Sequence, residues 1–239
     1  LWMSYDLLEG EDGPESVGDR ITVVDLSGKS VQTIEVEGQK VGAFKWGPSS
    51  NAIGFLAGRI ETGDGGLRQF QADSAWLVSS GDALTNGATA SPLKAATIKV
   101  DAPERVIHAL LWGVDSDGGG VLYNEYHEDK VLIKHARLES SKAEPDTIEG
   151  GFSDWGMEYV CRDPMVGTVE NGQWSAVWAF QPDGMREIAR FGPNRHTMIL
   201  GCSVDVLAVA NSPFWTPDMA KPGAKVEKAV VKVYRITRT

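Results

Sequence analysis

The chain reads as an all-β protein built of repeated four-stranded antiparallel units, and three observations predict it. No segment carries an apolar stripe of helical period with start and stop signals; short strand-like runs alternate with turn clusters at the 8–12-residue rhythm of all-β folds. One hairpin pattern recurs: residues 41–58, VGAFKWGPSSNAIGFLAG, return at 109–125 as ALLWGVDSDGGGVLYNE, at 158–171 as EYVCRDPMVGTVEN and at 198–212 as MILGCSVDVLAVANS. Written under one another, Trp46, Trp112, Cys161 and Cys202 share a column, one bulky or soft apolar residue before each turn. Successive four-stranded units of about 40–50 residues are the signature of a β-propeller.

The elements follow in chain order. Residues 1–5 read as a short apolar strand, and 8–19 as an acidic Gly/Pro loop. RITVVDL at 20–26 is β-branched and ends in the turn Ser27-Gly28-Lys29, while VQTIEV at 31–36 alternates as a half-buried strand does. In the organising hairpin, Gly47-Pro48-Ser49-Ser50-Asn51 forms the turn, with proline fixing φ and glycine and asparagine tolerating positive φ. Residues 59–74, RIETGDGGLRQFQADS, read as a long polar loop; 75–78 and 93–100 are strands on either side of a loose segment. The second copy spans 106–126, followed by strands at 130–138 and 146–149. After the third copy, 173–180 and 185–191 form a hairpin across Gln181-Pro182-Asp183-Gly184. The fourth copy leads to a Pro-rich loop at 212–225 and a last strand at 226–236.

These strands predict a single propeller domain over 1–239, with blades near 1–40, 41–100, 107–150, 157–191 and 198–236. The strand phase leaves the first and last blades incomplete. The expectation is about five blades, or a fragment of a larger propeller completed by an upstream segment or another chain, and 226–236 would present a valine-rich outer edge.

Composition bounds the function. The chain has 239 residues, 42% hydrophobic and 23% charged, enough for a packed core and too apolar for wholesale disorder. Its net charge of −10 argues against nucleic acid, which needs clustered Lys and Arg, and against anionic lipid. No apolar run approaches a membrane span. Two cysteines are too few for a disulfide framework and lack metal-site spacing.

The turn motifs carry a resemblance. Trp46-Gly47-Pro48-Ser49-Ser50 with Ile53-Gly54-Phe55, and Arg20 through Gly28 (RITVVDLSG), resemble the units of TolB-type and WD-repeat-like propellers, in which an aromatic-Ser-Pro-Asp-Gly turn precedes an apolar strand and a later strand ends Asp-Leu-Asp-Gly. Trp112 through Gly118 is a looser copy; the Cys161 and Cys202 copies keep only the hydrophobic outline. There is no Gly-His…Trp-Asp signature. The resemblance implies architecture and not an activity.

Candidate site residues are few. His108 and His196 precede inner strands at similar offsets, so each is a candidate for facing a central channel, or else a structural or rim histidine. His127-Glu128-Asp129 is a solvated turn or a metal-binding one, and His135 belongs on a strand face. Asp115 and Asp117, like Asp64-Gly65-Gly66, sit in short Asp/Gly turns such as calcium uses, without the trailing bidentate glutamate. Gly201-Cys202-Ser203-Val204-Asp205 is not a hydrolase elbow, and none occurs elsewhere. Cys161 and Cys202, on neighbouring inner strands too far apart to bridge, are expected as free thiols. Trp46 and Trp112 are expected to pack between blades. Trp174 and Trp178, four apart, should share one side of a strand. Phe214 and Trp215, in the Pro-rich loop, are candidate anchors for a partner.

The expectation is therefore a non-catalytic propeller scaffold for protein–protein interaction, without cofactor, periplasmic or extracellular in preference to cytoplasmic. Its partner would be another protein or the upstream segment. Two alternatives stay open: the propeller domain of a larger, prolyl-oligopeptidase-like hydrolase, and a glycan-binding or glycan-active propeller.

Overall fold

The computed structural model describes residues 6–10, 13–47, 52–63, 66, 68–79, 89–101, 103–115, 117–138, 144–150, 165–171, 173–193, 195–203, 205–213, 220–221, 223 and 228–235. The protein is all-β: the described residues form nineteen strands in several small sheets and contain no α-helix. It divides into two units, Leu1–Ile148 and Glu149–Thr239.

In the first unit the organising hairpin is β5 (Lys40–Trp46) and β6 (Ala52–Thr62), continued by β7 (Arg68–Ser79) and β9 (Leu93–Thr97). β1 (Asp6–Gly10) and β2 (Gly13–Gly18) extend this sheet on the β5 side, giving the order β1-β2-β5-β6-β7-β9. β3 (Ile21–Val24) pairs antiparallel with β4 (Ser30–Ile34), whose other edge pairs with β8 (Thr89–Ala90) in parallel. Residues 1–40 therefore do not form a sheet of their own, and the stretch expected as an acidic loop at 8–19 supplies two strands. The third sheet is β10 (His108–Val114), β11 (Gly120–Tyr126), β12 (Val131–Arg137) and β13 (Asp146–Gly150), in chain order.

β6 shows why these sheets stack. Its run AIGFLAG is buried throughout. Ala52 and Leu56 join one apolar cluster with Leu77, Leu111, Val121 and Tyr123, whereas Ile53, Phe55 and Ala57 join another with Ile21, Ile34 and Val41. A strand covered on both faces loses alternation and reads as a continuous apolar run. The closest approach is at Gly54, where a Cβ would lie 2.6 Å from Val114 Cγ2 and 2.9 Å from Val121 Cγ1. Only glycine lets β6 sit this near the β10–β11 hairpin.

The polar stretch 59–74 is not a loop. It is the outer half of the β6–β7 hairpin, paired in register from Arg59↔Gln71 to Thr62↔Arg68. The cross-strand pair Ile60↔Phe70 packs toward the core while Arg59, Thr62 and Arg68 stay exposed.

In the second unit, β14 (Met165–Glu170), β15 (Ser175–Gln181) and β16 (Gly184–Phe191) form one sheet, and β17 (Arg195–Cys202), β18 (Val206–Pro213) and β19 (Val230–Arg235) another. Val166 and Val177 of the first pack with Ile199, Leu207 and Val209 of the second. Trp174 precedes β15, so it does not share a strand with Trp178; Arg190 stacks over its ring at 4.1 Å.

The repeated hairpins share a device that corrects their alignment. β5, β10 and β17 each carry a bulge against the following strand: Ala43 and Phe44 oppose Phe55, Trp112 is the extra residue between Leu111 and Gly113, and Leu200 is the extra residue between Ile199 and Gly201. Ala43 takes a φ of 47° to make its bulge. Each bulge lies two residues before the last paired residue, which is Trp46, Val114 or Cys202. Trp112 is thus equivalent to Phe44 and Leu200, not to Trp46 and Cys202. Matching tryptophan to tryptophan displaced that copy by two residues. Both Trp46 and Trp112 are half-buried; Trp46 packs against the cluster around Phe55.

Gly54→Ala should destabilise the protein by about 1–3 kcal/mol, the cost of overpacking a fixed contact. Gly201→Ala, with nothing within 4 Å of its added Cβ, should stay within about 0.5 kcal/mol. Urea unfolding midpoints of the two variants check this contrast.

Candidate functional site

The charged side chains that the strands bring inward form three polar clusters. In the first, the β10–β11 turn aims Asp115 at β12. His135 Nε2 lies 2.9 and 3.0 Å from the two carboxylate oxygens, and Arg137 donates to Asp115 Oδ2 at 2.5 Å and to Asp117 Oδ2 at 2.8 Å. Asp115 and His135 are buried. The turn is closed by the Gly118 amide donating to the Asp115 carbonyl at 2.9 Å, with Gly118 at φ 77°, and by the Gly119 amide donating to Asp117 Oδ1. A Cβ on Gly120 would lie 2.3 Å from Asp115 Oδ2. The two aspartates singled out as calcium candidates thus turn their carboxylates to a guanidinium and an imidazole. The hydrogen bond from Arg137 holds the Asp117 carboxyl below its ordinary value, against a smaller opposing effect of burial.

In the second cluster, Glu125 of β11 has His127 Nε2 and Lys134 Nζ each 3.6 Å from Oε2, and Lys134 also donates to Thr147 Oγ1 at 3.0 Å. Tyr123, two residues before Glu125, has its phenol pushed above the usual range by burial and then by the charge of Glu125. His108 opens β10 opposite Tyr126, their rings 5.7 Å apart.

The third cluster lies in the second unit. His196 Nδ1 is 2.8 Å from Glu170 Oε1, which also accepts the Thr197 amide at 3.0 Å. The Thr197 hydroxyl bonds the Ser175 hydroxyl at 2.6 Å and accepts from Asn211 Nδ2 at 3.0 Å. Arg195 donates to the Asn211 side chain and carbonyl. The cluster laces β14, β15, β17 and β18 together. Among the described residues, no three His, Cys, Asp or Glu side chains converge as metal ligands.

Cys202, expected as a free thiol, is disulfide-bonded. It closes β17 beyond the bulge and packs, partly buried, against the cluster of Ile199, Leu207 and Val209. Cys161, Phe214 and Trp215 lie outside the described residues.

The most distinctive surface is the outer face of β17–β18–β19. The register sets Met198 beside Ala210 and Ala210 beside Val231, then Ala208 beside Val233, with Leu200 bulging between. Met198, Leu200, Val231 and Val233 are 46%, 48%, 58% and 68% exposed, whereas Ile199, Leu207 and Val209 on the other face are buried. β19 has no further strand beside it among the described residues. Sequence reasoning marked the valine run of β19 as an edge. It missed the face, because Met198 and Leu200 join it only through the register of β17.

No family model and no curated protein matches the chain. Among solved structures it is similar to TolB from Acinetobacter baumannii, with 11% identity and a TM-score of 0.35, over 84% of this chain and 46% of that one. The chain spans less than half the length of that TolB chain.

Asp115→Ala should cost about 3–5 kcal/mol, the range for leaving a buried charge partner uncompensated, read by urea unfolding. The Asp117 carboxyl is lowered in the fold. Its stabilising effect is therefore present above the unfolded value near 3.8 and is lost as pH falls through the lower folded value. Asp117→Asn should flatten the acid limb of the stability–pH curve below about pH 4 and leave the curve near neutrality parallel to wild type.

Proposed function

We propose that the chain is a non-catalytic scaffold of β-propeller type whose last sheet receives the apolar sheet face of a protein partner. The observation that carries this reading is the outer face of β17–β18–β19. Met198, Leu200, Val231 and Val233 stand exposed side by side on it, and contiguous exposed apolar surface of this kind marks an interaction site. The same sheet shows what such a face takes. Its inner side is covered by another sheet, with Val166 and Val177 packed on Ile199, Leu207 and Val209 alongside the polar contacts of Glu170 and Ser175. Sheet-on-sheet packing of matched apolar faces is the mode that repeats in this fold.

Further support comes from the repeat. Three bulged hairpins of one design, each followed by antiparallel strands in chain order, fit propeller blades. The internal carboxylates Asp115, Glu125 and Glu170 are each engaged by cationic or imidazole side chains within their own unit, as structural groups are. The disulfide at Cys202 favours an oxidising, extracytoplasmic compartment.

The test uses the double variant V231E/V233E as bait beside wild type, with cross-linking and then rebinding of the purified partner. Because both side chains are exposed, the variant should melt within a degree or two of wild type and should lose a partner that wild type retains and rebinds. A partner set identical for both proteins would refute the face as the interaction surface.

A further inference from the structure

We infer that the cleft beside the outer half of β6 binds an extended, acidic peptide segment, which adds to the sheet as a strand in the place that β5 leaves empty. The inference rests on reading the chain as an interaction module and gives it a second site with a defined ligand chemistry.

β5 begins at Lys40, opposite Gly58, yet β6 runs on to Thr62. Over residues 59–62 it pairs with β7, and among the described residues no strand pairs with it on the β5 side. Which backbone groups face that side follows from the ladder. The Gly47 amide donates to the Ala52 carbonyl at 2.9 Å, so Ala52 points its carbonyl toward β5. Backbone groups alternate sides along a strand. The extra residues at the two bulges lie on β5 and β7, so the alternation along β6 is not reset. Ala57, which accepts from Ser74 Oγ of β7, points the other way, as it should. Ile60 and Thr62 therefore present their amides and carbonyls to the β5 side, where no strand of the described residues meets them.

A cleft of about 1170 Å³ lies along that side, large enough for several residues of extended peptide. Gly58, Arg59, Ile60 and Thr62 form one wall, and the β4–β5 turn forms the other. That turn leads the chain away: Gly38 takes a φ of 73°, and the Gln39 amide donates back to the Val36 carbonyl at 3.1 Å. An open strand edge at the wall of a cleft is the geometry of peptide recognition by strand addition.

The charge of the cleft selects the peptide. Four cations line it, Arg20, Lys40, Arg59 and Arg68, against the carboxylates of Asp19, Glu35 and Glu37, in a chain whose net charge is −10. Arg68 makes no ion pair among the described residues. The other three pair with acids at the surface: Arg20 with Glu35 at 3.9 Å, Lys40 with Asp19, and Arg59 with Glu61 at 2.6 Å. Such exposed pairs are weak, so peptide carboxylates can take their place.

The test is fluorescence anisotropy with three labelled heptapeptides: alternating valine and glutamate, alternating valine and lysine, and the glutamate peptide with proline at every second valine. The acidic probe should bind saturably and weaken as salt is raised; the lysine and proline probes should bind at least about tenfold more weakly. Thr62→Pro removes the edge amide without touching the protein's own ladder, and proline is tolerated at such an edge. Both Thr62→Pro and Arg68→Glu should weaken the acidic probe about tenfold with an unchanged melting temperature, and V231E/V233E should leave its affinity unchanged. Absence of saturable binding, equal binding of the lysine probe, or wild-type affinity in both Thr62→Pro and Arg68→Glu would overturn the inference. If V231E/V233E loses its partner while the acidic probe does not bind wild type, the cleft is refuted and the scaffold reading stands.

Discussion

The constraint on which this structure depends is that its sheets can be covered only by other sheets. No helix among the described residues is available to lie on an apolar face. Where two sheets meet, their separation is set by what the backbone carries. At Gly54 the absence of a side chain admits Val114 and Val121, and buries both faces of β6. The continuous apolar run of that strand is the sequence-level record of this double burial. The bulge that β5, β10 and β17 share adds local twist at the same point of each hairpin. The same rule makes the outer face of β17–β18–β19 informative, since it is apolar and exposed where comparable faces are covered.

The polar interior follows from the same stacking. Charged groups drawn between strands must be paired or hydrogen-bonded, and the carboxylate of each cluster is met by cationic or imidazole side chains of its own unit. Asp115 answers His135 and Arg137; Glu170 answers His196 and the Thr197 amide. These pairings tie the first strand of a hairpin to its neighbours, the work of structural groups. The open strand edge and the exposed apolar face lie instead at the periphery, at the outer half of β6 and on the last sheet. That distribution is what turns attention from chemistry to recognition.

Much of the architecture was legible in the sequence. Alternation and turn chemistry located β3, β4, β10, β11, β12 and the β15–β16 hairpin, and the recurring hairpin was visible before any coordinates. The losses have physical causes. Residues 59–74 look like a loop because the projecting end of the hairpin turns one apolar pair inward, Ile60 and Phe70, while Arg59, Thr62 and Arg68 are exposed, and because buried positions at its base are the polar Gln71 and Ser74. The pairing of β2 with β5 depends on two residues, Val17 and Gly18, too short a signal to read. The column of tryptophans misled because Trp112 occupies the bulge itself while Trp46 stands two residues beyond it, and residue similarity does not record where a bulge lies. The clusters at Asp115 and Glu170 depend on partners from other strands, Arg137 and Asn211 among them. The cleft joins residues from 19 to 68 whose charges, read singly, are those of any solvated surface.

Two methionines of the second unit measure the central claim against each other. Met165 is 2% exposed and Met198 46% exposed, so hydroxyl-radical footprinting followed by mass spectrometry reads buried and free faces in one experiment. The account predicts rapid oxidation at Met198, with Leu200, Val231 and Val233 also modified, and protection at Met165 and Leu207. Protection of Met198 equal to that of Met165 in the isolated protein would contradict it, because the outer face of the last sheet would then be covered.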